Sequence, residues 1–147
     1  MKVLLPDGAA SSADPIFDIL TKYKTIAVVG LSSNPARPSY GVTEYMQSSG
    51  YQIIPVNPNE TDVLGEPSYA SLDEVPQKIE IVDVFRRAEE VPPVVDAAIR
   101  AGAKVVWMQL GIVSEAAAEK ARAAGITVVM DACIFAEHKK RRQRLTE

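Results

Sequence analysis

The chain has 147 residues, 47% of them hydrophobic and 24% charged, with a net charge of −3, which is enough for one substantial core and too little for two independent domains. No apolar run approaches the roughly 20 residues that cross a bilayer, and the opening Val3-Leu4-Leu5, closed by Pro6, is too short for a signal peptide. The single cysteine, Cys133, excludes an internal disulfide and a thiol-rich metal centre and fits a reducing compartment, so a cytoplasmic location and no metal site are expected.

Asp14-Pro15 has the form of an N-cap followed by proline at the first helical position, and Ile16, Ile19, Leu20 and Tyr23 recur at helical spacing through Lys24. Residues 25–29, TIAVV, read as a strand apolar throughout, as one covered on both faces requires. Gly30 opens a loop of small residues, and a helix is expected over residues 39–49, with Val42, Tyr45 and Met46 inward and Gly50 closing it. Residues 51–56 form the second strand. Pro55 lacks a ladder donor, so this strand stands near an edge or meets its neighbour irregularly. Turn chemistry follows at Asn57-Pro58-Asn59-Glu60 and at Leu64-Gly65-Glu66-Pro67, and residues 71–76 hold at most one helical turn.

Residues 79–85, IEIVDVF, are the third strand and end in Arg86-Arg87. The next helix begins near Ala88-Glu89, tolerates Pro92 and Pro93 in its first turn, and stops at Ala101-Gly102. Residues 104–109 are the fourth strand, an alanine-rich helix capped by Ser114 follows, and residues 126–130 are the fifth strand. A last helix from about Ile134 carries the tail. Residues 139–147, KKRRQRLTE, hold five basic groups and one acid, a sum of +4 that leaves −7 on residues 1–138. Such a tail suits nucleic acid or an anionic surface, but the reading preferred here is a solvated helix end whose cations face the negative pole of the macrodipole.

Strands alternate with helices throughout, which requires long crossovers and a parallel sheet. The expectation is an α/β fold in one Rossmann-like, doubly wound domain, with a core of about residues 15–138 and a five-stranded parallel sheet in the order 3-2-1-4-5. In that order the topology reverses between the first and fourth strands. A ligand is then expected outside their carboxyl ends, beside residues 30–39 and 109–111, with Val56-Asn57 and Phe85-Arg86 extending the crevice.

The loop after Gly30 does not meet the GxGxxG spacing of dinucleotide enzymes. It offers hydroxyls at Ser32, Ser33 and Ser39 and a guanidinium at Arg37, all donors suited to phosphate oxygens. The acid that holds ribose hydroxyls in NAD enzymes is absent after the second strand, where Val56-Asn57-Pro58 stands, and Glu60 beyond the turn is expected in solvent. Arg86 and Arg87 put positive charge at the carboxyl edge of an otherwise acidic body. Cys133 and His138 share no helical face and have no supporting acid. The first is expected in the core, the second in solvent, and Asp131 as a helix cap, so no catalytic residue is assigned.

The segments IAVVGLSSNPARPSYGV, YQIIPVNPNETDVLGEPSYASLDEVP, VDVFRRAEEVPPVVDAAIRAGAKVVWMQLGI and VVMDACIFAEH resemble the small stand-alone CoA-binding proteins, which are similar to the CoA-binding domain of the succinyl-CoA synthetase alpha subunit. The resemblance implies that coenzyme A or acyl-CoA lies across the strand ends. Gly30, Ser32, Ser33, Arg37 and Ser39 would meet its phosphates; Val56, Asn57 and Pro58 would border the adenosine. Phe85 and Arg86 would flank the ligand, and Gln109, Leu110 and Gly111 would approach the pantetheine arm. The synthetases also use a phosphorylated histidine in a further domain, so binding without synthesis is the expectation. The alternatives are an NAD(P)-dependent oxidoreductase, or a CoA-dependent transferase component with a catalytic partner chain. No membrane partner is expected, nucleic acid is not the favoured partner, and a homo-oligomer is left open.

Overall fold

In a computed structural model that describes residues 1–146, the chain runs in sequence through β1 (Lys2–Leu4), α1 (Pro15–Lys22), β2 (Thr25–Val29), α2 (Pro38–Ser48) and β3 (Gln52–Val56). A small hairpin of β4 (Asp62–Val63) and β5 (Glu66–Pro67) follows, then β6 (Ile81–Val84), α3 (Val91–Arg100), β7 (Val105–Met108), α4 (Glu115–Ala123), β8 (Thr127–Met130) and α5 (Ile134–Leu145). One six-stranded sheet has the order β1-β8-β7-β6-β2-β3. Ala27, Val82, Val106 and Val128 turn one face to α3 and α4. Ile26, Ile81, Trp107 and Val129 turn the other to α1, α2 and α5. The fold is therefore α/β and Rossmann-like, as expected.

Two details of the sheet differ from expectation. Counted from β2, the five parallel strands stand in the order 2-1-3-4-5, because β6 inserts between β2 and β7, pairing Val28 with Asp83 and Asp83 with Trp107. The reason lies in Pro55. Its carbonyl accepts from the Tyr69 amide at 3.1 Å on the outer side of β3, so the missing N–H faces the outer edge, where a strand would need it. The sheet also gains a sixth strand. Val3-Leu4 pairs antiparallel with Val129-Val128 and covers the edge that β8 would otherwise expose.

The basic tail is partly a structural strap. Arg141, with a side chain 14% exposed, donates to both carboxylate oxygens of Asp14 at 2.9 and 3.1 Å and to Glu137 Oε1 at 3.0 Å. Arg144 reaches the same Asp14 at 3.2 Å. Asp14 caps α1 by accepting from the Phe17 amide, so one carboxylate joins the start of α1 to the end of α5. The Arg141 hydrogen bond, foremost among these contacts, holds its pKa down at about 2.

His138 corrects a further expectation. It is buried, its Nδ1 is 2.9 Å from the Tyr45 hydroxyl, and its ring meets Tyr51 edge-on. Burial first, then the charges of Lys24 and Arg142, lower its pKa and favour the neutral ring. No helix among the described residues is long and apolar enough to cross a membrane.

Candidate functional site

The true reversal of topology falls between β2 and β6, and the chain there is built for close approach. Gly30 ends β2 at a φ of 91°, and a Cβ on it would stand 2.3 Å from the Phe85 carbonyl oxygen. Only glycine tolerates both conditions. The Gly30 amide donates to the Val56 carbonyl at 2.9 Å and the Phe85 amide to the Val29 carbonyl at 2.8 Å, which ties the ends of β3, β2 and β6 together.

The loop that follows is organised by its own short side chains. The Ser32 amide donates to Ser39 Oγ at 3.1 Å, the Asn34 amide to Ser32 Oγ at 3.0 Å, and the Ala36 amide to Asn34 Oδ1 at 2.9 Å. In these contacts the two serine hydroxyls act as acceptors, which leaves their own protons for an incoming oxygen. Pro38 begins α2, and Arg37 occupies the N-cap position without a capping side-chain bond. Pro38 has no N–H and the Tyr40 amide already donates to the Arg37 carbonyl at 3.1 Å, so the first turn offers the Ser39 amide and the positive pole of the dipole.

Gly30, Ser32, Arg37, Ser39, Asn57, Phe85, Arg86, Gln109, Leu110 and Gly111 line one crevice of about 950 Å³. Among the expected residues, Val56 and Pro58 instead line an adjoining hollow of about 540 Å³, which shares Arg86 with the crevice. Ser33 borders neither and is exposed. Val56 turns to the α3 side of the sheet, which is why neighbours in sequence part company here.

Sequence reasoning missed Glu60, Ile112 and Cys133, all of which line the crevice. Glu60 is not left in solvent. Asn57 Oδ1 accepts from the Asn59 amide and turns the chain back, and Glu60 Oε2 accepts from the Ser33 amide at 2.7 Å. The Asx turn at Asn57-Pro58-Asn59 was the available signal. Cys133 is half-buried on the rim, at the N-cap of α5, not in the core. Asp131 is not the cap: at a φ of 57° its Oδ1 accepts from the Gly111 amide at 2.7 Å, which fixes the loop after β7.

Charge within the crevice is unevenly compensated. Arg87 meets Glu89 at 3.6 Å and Glu90 at 3.5 Å. Arg37 and Arg86, by contrast, have no carboxylate partner among the described residues. The Arg86 Nε lies 3.3 Å from where a Cβ on Gly30 would be, so its guanidinium runs along the glycine. Beneath the floor, Gln109 donates to the buried Asp83 carboxyl and accepts from the Ile134 amide at 3.3 Å. Burial pushes the Asp83 pKa up to about 7, against the opposing pull of that Gln109 bond.

A family model described as a CoA binding domain matches residues 24–139. The uncharacterized protein YneT of Bacillus subtilis is 46% identical over 123 residues, covering 84% of this chain and 91% of its own. A hypothetical protein from Pyrococcus horikoshii superposes with a TM-score of 0.85 at 38% identity, over 95% of this chain and 98% of the other. The dinucleotide-forming acetyl-coenzyme A synthetase 1 of Ca. Korarchaeum cryptofilum, solved with phosphate and ADP, gives a TM-score of 0.64 at 26% identity. That alignment covers 76% of this chain and 26% of the synthetase.

Proposed function

This chain belongs to the CoA-binding domain family, and on that premise we propose that its crevice binds coenzyme A or an acyl-CoA, in a cytoplasmic protein with no catalysis of its own. The observation that carries the reading is the pair of uncompensated guanidiniums, Arg37 and Arg86, beside the open N-terminus of α2 in a chain whose first 138 residues sum to −7. A ligand with several phosphates supplies what this arrangement lacks.

The ligand's phosphates meet Ser32, Ser39, Arg37 and Arg86 across Gly30. Its adenine lies toward Asn57 and the hollow of Val56 and Pro58, and its pantetheine arm passes Phe85 toward Gln109, Leu110 and Gly111. The crevice crosses the carboxyl ends of five parallel strands, β3 to β8, a width of about 19 Å at the usual strand spacing. An extended nucleotide with a long neutral arm suits that width.

Titration calorimetry with CoA tests the site. Arg37→Ala and Arg86→Ala should each remove a charge-assisted bond worth about 1.5–3 kcal/mol, or roughly 10- to 150-fold in affinity. Arg100→Ala, whose partner Asp73 is outside the crevice at 2.9 Å, should change it little. Equal affinity in all three variants and the unaltered chain contradicts the proposed site.

Glu60 favours a second reading. A carboxylate beside the nucleoside end could hold ribose hydroxyls, as in nicotinamide dinucleotide enzymes. On that reading NAD binds, and Glu60→Gln weakens it more than it weakens CoA.

A further inference from the structure

We infer that the ligand is an acyl thioester of coenzyme A carrying a chain of several carbons, and that this chain lies on Leu110 and Ile112 at the β7–β8 end of the crevice. The inference deepens the proposed function and rests on it.

Large apolar side chains are exposed at few places among the described residues, and Leu110 at 71% and Val113 at 42% are two of them, in one loop. A single exposed leucine needs no explanation. This one stands on the wall of the crevice, with Ile112 beside it continuing into the core under α3 and α4. The loop is also held in place. The Ile112 amide donates to the Gln109 carbonyl at 2.9 Å, and the Gly111 amide donates to Asp131, itself a non-glycine residue in the left-handed region. Leu110 therefore faces water from a braced turn.

The crevice is graded along its length. Arg37, Arg86 and the N-terminus of α2 stand over β2 and β6, on the half of the crevice that runs on to β3. At the other end Gln109, Leu110, Gly111, Ile112 and Cys133 offer no carboxylate, ammonium or guanidinium. A complementary ligand is polyanionic at one end, neutral in its arm and apolar at its tip. Free CoA ends in a thiol there and leaves Leu110 in water, whereas a thioester carries an alkyl chain onto it. Apolar area removed from water then adds to affinity with each methylene.

The test compares dissociation constants of CoA, acetyl-CoA and octanoyl-CoA for the unaltered chain, Leu110→Ser and the conservative Leu110→Met. The expected result is octanoyl-CoA binding at least about tenfold tighter than CoA, with acetyl-CoA close to CoA. That ratio should fall toward one in Leu110→Ser and persist in Leu110→Met. Equal affinity for CoA and octanoyl-CoA in the unaltered chain overturns the inference and leaves CoA binding standing. So does a ratio that survives Leu110→Ser. If sedimentation shows a dimer that Leu110→Ser dissociates, a second copy covers this leucine and the inference fails. Binding of neither CoA nor either of its two thioesters overturns the function on which it rests, and the inference with it.

Discussion

A methyl group at position 30 has nowhere to go. The φ of 91° disfavours any L side chain, and the Phe85 carbonyl oxygen, 2.3 Å from the would-be Cβ, is backbone that cannot swing aside. Gly30→Ala should therefore cost at least about 2 kcal/mol of stability and abolish ligand binding in whatever remains folded. Arg37→Ala, at an exposed position, should lower affinity without moving the unfolding midpoint. Chemical denaturation beside calorimetry separates the two behaviours. Asp83 makes a different prediction. Its folded pKa, raised to about 7 by burial, lies above the ordinary 3.8, so stability falls as pH rises from about 4 to 7 and is flat beyond. Asn at this position keeps an acceptor for Gln109 without the charge. Asp83→Asn should gain stability over the unaltered chain at pH 8 and much less at pH 5; the same gain at both would refute the buried-charge account.

Among the elements, what the sequence makes legible is local. The proline-started α1 with its Asp14 cap, the apolar run of β2, and Gly50 at the end of α2 all follow from spacing and backbone preference within a few residues. Strand order depends on partners distant in sequence, and no local pattern in β6 says which neighbours it takes. Pro55 did carry that information. A missing ladder donor on one side of β3 conflicts with a strand there, and the order 3-2-1-4-5 put one there. β1 was missed because three residues are too few for a period, and its role appears only against the edge of β8. The cations around His138 point to solvent, yet the ring is buried, since a helix turns every third or fourth side chain inward whatever its neighbours are. The strap between α5 and α1 can be tested through Asp14. Its depressed pKa contributes stability that is present above about pH 4 and lost as pH falls through about 2. Asn is also a good N-cap, so Asp14→Asn isolates the ion pairs. It should cost about 2 kcal/mol at pH 7, a difference that narrows between pH 4 and pH 2 in acid denaturation. A loss constant with pH would assign the effect to the cap.

The molecule as a whole combines an acidic body, a sheet whose reversal opens a crevice at Gly30, and a gradient along that crevice from guanidinium to leucine. Its glycine-and-hydroxyl wall was legible in sequence because strand, glycine, hydroxyl loop and helix start are contiguous. Glu60 and Cys133 were not, because separate chain turns bring them to the rim. Thermal unfolding with CoA, NAD, NADP and ATP added separately tests the central claim most directly, since a ligand that binds the native state raises the midpoint by mass action. A rise with CoA that grows with its concentration, absent for NAD and NADP, is the predicted result. No rise with CoA beside a clear one from a nicotinamide dinucleotide would contradict it.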